Sequence, residues 1–238
     1  MKTRLITAAV GVPFLIFTLV VRGWFAEFVI VALTFIAMYE NYRALKKAGY
    51  AVCEWGGYVA TAAMWPLSRL MGVLDPLLLL VAAMGVSMTG VMLHEKPAFP
   101  DAAASVYPLL TCFLPMSMFM MMMNSTYGVV PGIALITMAF AIAYAGDGAA
   151  YFGGRALGRH KLCPNVSPKK TGVGAIFGVI GGTLAGLVWR AVFVYVFHMQ
   201  MPGIPATIAL GLIGSAAGEI GDLAASLLKR HSGIKDLS

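Results

Sequence analysis

One acid followed by a run of cations stands between two strongly apolar segments. Gly146 to Thr171 reads GDGAAYFGGRALGRHKLCPNVSPKKT and carries Asp147, Arg155, Arg159, His160, Lys161, Lys169 and Lys170. A second patch near the C-terminus, GEIGDLAASLLKRHSGIKD, sets Glu219 and Asp222 in an apolar segment ahead of Lys229, Arg230, Lys235 and Asp236. Carboxylates are hard oxygen ligands that suit Mg²⁺, a metal that bridges phosphates. Lysine and arginine neutralise the charge that remains and stabilise a phosphorus centre as its leaving group departs. The chemistry these residue types allow is therefore that of a metal-bound polyanion. A plain basic loop at a membrane surface is the competing reading of the first patch.

Spacing sharpens the second patch. Glu219, Asp222, Ser226 and Lys229 follow one another at intervals that place them on one face of a helix, in continuation of Gly211 and Ser215. A carboxylate at membrane depth is costly unless it faces protein, water or a cation. A functional site is one reading, and a structural carboxylate paired with Arg190 or a neighbouring helix is the other. In the first patch, Ser167, Pro168, Lys169, Lys170 and Thr171 read as a short turn opening a helix, where hydroxyls, ammonium groups and free backbone N–H groups could hold phosphates. The glycines from Gly146 to Gly154 fit neither a phosphate-binding P-loop nor a dinucleotide fingerprint, for want of a Gly-Lys-Ser/Thr ending and a preceding strand.

The elements that must position these residues are membrane helices. The chain has 238 residues, 60% hydrophobic and 11% charged, with a mean hydropathy of +0.84, which is the balance of a polytopic membrane protein and not of a soluble one. A spanning helix needs about 20 largely apolar residues. The expected fold is all-α, a single membrane domain over 1–238 with about eight spans: 4–21, 24–39, 55–72, 74–93, 104–123, 129–146, 172–198 and 203–228. The third is interrupted by Pro66 and Arg69, so the pair from 55 to 93 could include a re-entrant segment. In this division 1–103 holds N-terminal helices and 104–238 carries the site.

Nearly all lysines and arginines fall on one side of that arrangement, which assigns both termini and both patches to the cytoplasm. The first apolar run lacks a small-residue cleavage site and reads as a retained span in a multi-pass inner-membrane protein. The net charge of +7 follows this loop bias, with no basic stripe of interleaved aromatics, so nucleic acid is excluded as a partner. Cys53, Cys112 and Cys163 have no disulfide or zinc spacing and read as small apolar residues. Met118 to Met123 reads as adaptable apolar surface, and Trp24, Trp55 and Trp189 as interface anchors. Gly174, Gly178, Gly182 and Gly186 recur every four residues and form one smooth stripe against which another backbone can pack.

At the C-terminus, Ser226-Leu-Leu-Lys229-Arg230, four residues, then Lys235-Asp236-Leu-Ser238 resembles the first part of the signature of the phosphatidate cytidylyltransferases, or CDP-diacylglycerol synthases. Gly221-Asp222, the segment from Asp147 to Gly158, HKLCPNVSPKKT, the opening RLITA and Glu40 are similar too. The resemblance implies a Mg²⁺-dependent transfer in which the phosphate of phosphatidic acid attacks the α-phosphorus of CTP, yielding CDP-diacylglycerol and pyrophosphate. Membrane lipids would then be partners, and a homodimer is compatible with this reading. Carried over by position, Asp147, Asp222 and Asp236 become metal ligands, and with Lys229 the catalytic set. Ser167, Lys169, Lys170, Thr171, Ser226, Arg230 and Lys235 become contacts to nucleotide and lipid phosphate.

Three departures accompany the resemblance. The signature normally continues into a Gly-His-Gly-Gly segment and two further aspartates. The acid usual after Ser-Pro-Lys-Lys-Thr is replaced by the neighbourhood of Gly172 and Val173, and the usual glutamate before Ser226 is Ala225. These lead to the expectation of a truncated or degenerate member, active only weakly or binding nucleotide or anionic lipid without turnover. A transporter with intramembrane carboxylates is a further alternative. It would require a polar path across the membrane, often between related halves, whereas the polar residues here gather on one side and no repeat is evident.

Overall fold

The computed structural model describes residues 2–21, 23–69, 75–123, 126–127 and 130–234; Lys235 and Asp236 lie outside them. The chain divides into two compact units, 1–124 and 125–237.

The first unit contains α1 (Lys2–Val21), α2 (Gly23–Lys47), α3 (Trp55–Arg69), α4 (Pro76–Met92), α5 (Phe99–Pro108) and α6 (Leu114–Met123). Leu109–Phe113 forms a π turn between α5 and α6, so Phe99–Met123 runs as one long helix. Met38, Tyr42, Met64, Leu109, Phe113 and Met120 are fully buried and form much of its core. An extended segment after α2 is pinned at both ends of its reach. The Asp101 carboxylate accepts from the Ala51 N–H at 3.0 Å, and the Ser105 hydroxyl accepts from the Cys53 N–H at 2.9 Å. Cys53 is buried beside Val91 and Ala102, as a small apolar residue. Lys46 pairs with Glu54, whose carboxylate also accepts from the Tyr58 hydroxyl at 2.8 Å.

The second unit holds α7 (Gly132–Leu157), α8 (Gly172–Tyr195) and α9 (Ile204–Ser232). Two short antiparallel ladders accompany them: β1 (Thr126–Tyr127) with β2 (Val130–Pro131), and β3 (Lys161–Cys163) with β4 (Ser167–Thr171). Helix α7 starts after Pro131, and α9 carries a proline in its first turn and stops at Gly233, whose φ of 66° is the left-handed conformation that closes helices. Helix α8 begins at Thr171, whose hydroxyl accepts from the Gly174 N–H at 3.1 Å and caps the first turn.

Two expectations are corrected here. The polar segment from Gly146 does not open a loop: α7 continues through Asp147 to Leu157, so the helix ends eleven residues later than the apolar run suggests. Ser167–Thr171 is a strand of a hairpin and not a turn. Lys161 pairs with Thr171 and Cys163 with Ser167. Five helices among the described residues are long and apolar enough to cross a membrane: Gly23–Lys47, Phe99–Met123, Gly132–Leu157, Gly172–Tyr195 and Ile204–Ser232. Helix α4, with 17 residues, is shorter than the span expected there, and α3 covers the described part, Trp55–Arg69, of the span expected over 55–72.

The glycine stripe of α8 is the seam of the second unit. Gly174, Gly178, Gly182 and Gly186 are all buried. A methyl group added at Gly178 would stand 3.1 Å from the Ala150 side chain, 3.3 Å from the Gly146 carbonyl and 3.1 Å from the Glu219 carboxylate. At Gly182 it would meet the Ser215 hydroxyl and come within 2.9 Å of the Ile142 carbonyl. Helices α7 and α9 thus both press on α8, through the matching series Ile142, Gly146, Ala150 and Gly154 on α7 and Gly211, Ser215 and Glu219 on α9. Trp189, expected as an interface anchor, donates its indole N–H to Thr137 of α7 at 3.2 Å.

Gly182→Ala must push helix backbones apart. Overpacking of this kind costs about 1–3 kcal/mol, and reversible unfolding in mixed detergent should report a loss of that size. Gly221→Ala, where the added methyl meets nothing within 4 Å, should leave the midpoint unchanged or slightly raised.

Candidate functional site

Asp147, Tyr151 and Arg155 succeed one another by four residues and share the face of α7 that lines a cleft. Asp147 is 15 residues into α7 and Glu219 is 15 residues into α9. At 1.5 Å per residue each lies roughly 22 Å along its helix, so the two carboxylates stand at similar depth, toward the end where α7 passes into the basic hairpin. The cleft has a volume of about 700 Å³. Its charged lining is four cations, Arg155, Lys161, Lys169 and Lys170, and three carboxylates, Asp147, Glu219 and Asp222. Ile142, Ala143 and Gly214 make an apolar stretch of the same wall.

Lys170 is the centre of this set. Its ammonium donates to Glu219 Oε2 at 2.6 Å and lies 2.8 Å from Asp222 Oδ2. Strand β4 carries the lysine, and one turn of α9 carries both acids at i and i+3. Burial on its own would depress the lysine pKa, but the hydrogen bonds to Asp222 and Glu219 and their charges outweigh it and hold the pKa above its ordinary value. The ammonium therefore stays charged through neutral pH. Glu219 is the more enclosed acid, with its side chain 13% exposed against 61% for Asp222. Asp147 makes no hydrogen bond or ion pair among the described residues and is exposed to the cleft.

The structure brings together Asp147, Lys169, Lys170, Thr171 and Asp222 of the residues singled out from sequence. The Thr171 hydroxyl is engaged as the cap of α8. Ser167, Ser226, Lys229 and Arg230 are not among the residues lining the cleft. Ser167 sits on β4, while Ser226 and Lys229 follow on α9 beyond Asp222. Arg230 donates from Nε to the Val166 carbonyl at 3.4 Å, which ties the end of α9 to the tip of the hairpin. Lys235 and Asp236 fall outside the described residues.

Two findings correct or extend the sequence reading. Glu219 is paired with Lys170 and not with Arg190, which instead donates to the Pro202 carbonyl at 2.7 Å in the connection between α8 and α9. Arg155 and Lys161, read from sequence as part of the basic run but given no role of their own, line the cleft as well. The signal for Arg155 was its four-residue spacing from Tyr151 and Asp147, which becomes visible only once the helix is known to continue.

Among the described residues no group of three His, Cys, Asp or Glu side chains is arranged to hold a metal by itself. Asp147 and Asp222 remain as carboxylates that reach the cleft from two helices and could each give one oxygen to a cation that brings further ligands of its own.

The family model described as the cytidylyltransferase family matches residues 2–238. Among curated relatives, the phosphatidate cytidylyltransferase of Haemophilus influenzae is 39% identical over 110 residues, which is 45% of this chain and 37% of that protein. That of Brucella suis is 41% identical over 105 residues, 44% of this chain and 37% of the relative. The Bacillus subtilis phosphatidate cytidylyltransferase is 37% identical over 105 residues, with the same shares. The chain thus covers well under half of the length of the curated relatives it matches. With the family match running over almost its whole length, the chain belongs to the cytidylyltransferase family.

Proposed function

We propose that this chain transfers CMP from CTP to phosphatidic acid, giving CDP-diacylglycerol and pyrophosphate for phospholipid synthesis. The observation that carries the proposal is the cleft of the second unit, where acids from two membrane-length helices meet four cations, Lys170 in contact with two of the acids. The relatives bear that activity in their names, and the family match runs over the cleft as over the rest of the chain.

Cations and carboxylates in one cleft suit a triphosphate that arrives with a divalent metal. The donor set fits Mg²⁺, which keeps several waters and is usually held by one or two carboxylates together with substrate phosphates and not by an all-protein cage. Asp147 and Asp222 would hold it, and when bound it would supply charge neutralisation across the phosphates of CTP. Lys169, Lys161 and Arg155 would bind and orient the polyphosphate from the hairpin side. The transfer needs no covalent nucleophile from the protein: a phosphate oxygen of phosphatidic acid forms the bond to the α-phosphorus as the bond to pyrophosphate breaks. The cations stabilise the charge that gathers on the departing pyrophosphate. The apolar stretch at Ile142, Ala143 and Gly214 would border the glycerol and acyl part of the lipid.

The lysine and arginine distribution orients the cleft and both termini to the cytoplasm, in an inner membrane, with α1, α3 and α4 completing eight membrane segments.

With radiolabelled CTP and phosphatidic acid in detergent micelles, label should enter lipid in the presence of Mg²⁺ and cease with EDTA. Asp222→Asn should lower the rate by about 100-fold, the order of loss that follows misplacement of reacting groups, while the protein still folds. Transfer that persists in EDTA, or an unaffected Asp222→Asn, would count against the assignment. For the orientation, Asn165→Cys in a background of Cys53→Ser, Cys112→Ser and Cys163→Ser should label only from the cytoplasmic side of inverted and right-side-out vesicles. Labelling from the outer side would reverse the proposed access to CTP.

A further inference from the structure

The enclosure of Glu219 and the openness of Asp222 divide their roles. Glu219 is shut in on one side by the backbone of α8, where the β position of Gly178 lies 3.1 Å from its Oε1, and on the other by Lys170. Asp222, 61% exposed, looks into the cleft and shares the same ammonium at 2.8 Å. Lysine is a point charge on a flexible four-carbon stem and can change partners without movement of the backbone. A divalent cation that approaches Asp222 on its own would meet the Lys170 ammonium against the same carboxylate, a like-charge encounter in a partly enclosed site. A polyphosphate removes the conflict, because it offers the ammonium a second anion.

We propose that Lys170 and Glu219 form a counter-ion latch: Lys170 occupies Asp222 until a metal-bound polyphosphate arrives, and it then swings to the phosphates while Glu219 keeps it within reach. The proposal rests on the metal-nucleotide reading given above and adds to it the order of binding. Metal alone is turned away, and metal and polyphosphate are accepted together. In this scheme Glu219 is a positioning residue that acts through Lys170 and is not itself a metal ligand, which agrees with its enclosure.

The test is Mn²⁺ binding to the full chain in detergent, followed by the electron paramagnetic resonance signal of free Mn²⁺ without nucleotide. Wild type should bind weakly, and addition of the non-transferable α,β-methylene analogue of CTP should draw Mn²⁺ onto the protein. Lys170→Gln should bind Mn²⁺ without nucleotide at least about tenfold more tightly than wild type, a difference of about 1.4 kcal/mol. Lys170→Arg, which keeps a cation between the two acids, should remain weak. Unfolding midpoints recorded alongside identify any variant that does not fold, and the wild-type titrations then decide alone. Tight Mn²⁺ binding by wild type without nucleotide overturns the latch, as does equal affinity in wild type and folded Lys170→Gln. Either result leaves cytidylyl transfer standing if the lipid-labelling assay is positive. Failure of every form to bind Mn²⁺, with or without the analogue, overturns the metal reading and the latch with it.

Discussion

Backbone contact between α7, α8 and α9 sets every distance in the second unit that the cleft relies on. Four buried glycines on α8 remove the side chains that would hold its neighbours away, and in a membrane, where lipid tails are as apolar as leucine, such close packing is a principal source of helix association. The consequence reaches beyond packing. At Gly178 the missing side chain leaves room for the Glu219 carboxylate, so the same feature that joins the helices also admits an acid to their interface. An acid there needs a cation, and the helix that carries the stripe is capped by Thr171, one residue after Lys170. Cap, lysine and glycine stripe are thus parts of one local solution, in which the entry of α8 fixes where the cation stands.

Electrostatics then sets the character of the cleft. Two acids one helical turn apart repel each other, and Lys170 between them relieves that repulsion. Because the side chains of Glu219 and Lys170 are largely enclosed, removal of either partner would strand a charge, whereas an exposed surface pair contributes little. Asp147 has no such partner among the described residues.

How much of this was legible in the sequence depends on the range of each interaction. The period-four glycines and the 219, 222 spacing are local patterns with one geometric meaning on a helix, and the structure has both as read. The end of α7 was not legible, because Gly146, Gly148, Gly153 and Gly154 together with a rise in polarity look like a helix stop on propensity alone. Packing against α8 overrides that preference: a methyl at Gly154 would stand 3.3 Å from the Gly174 backbone, so the glycines are the condition for helix contact. The strand at Ser167–Thr171 was hidden for a different reason, since a hairpin of this length is defined by its partner, Lys161–Cys163, and by the turn between them. The pairing of Lys170 with Glu219 joins residues 49 apart in the chain, and no local pattern in the sequence points to that partner.

The proposed transfer joins a lipid to a water-soluble nucleotide, and the lining of the cleft has a border suited to each. Asp147 and Glu219 lie roughly 22 Å along helices of 26 and 29 residues, past or close to mid-helix, on the half of α7 that leads into the basic hairpin. A water-soluble triphosphate would be met by Lys161 and Lys169 on the polar side. A lipid phosphate would reach the same acids from the apolar side, past Ile142 and Ala143. In the proposed transfer the lipid could then keep its chains along the apolar border while the polyphosphate meets the cationic one. A cleft with one apolar border and one cationic border, joined by three carboxylates and a movable lysine, is the arrangement that such a meeting of phosphates requires.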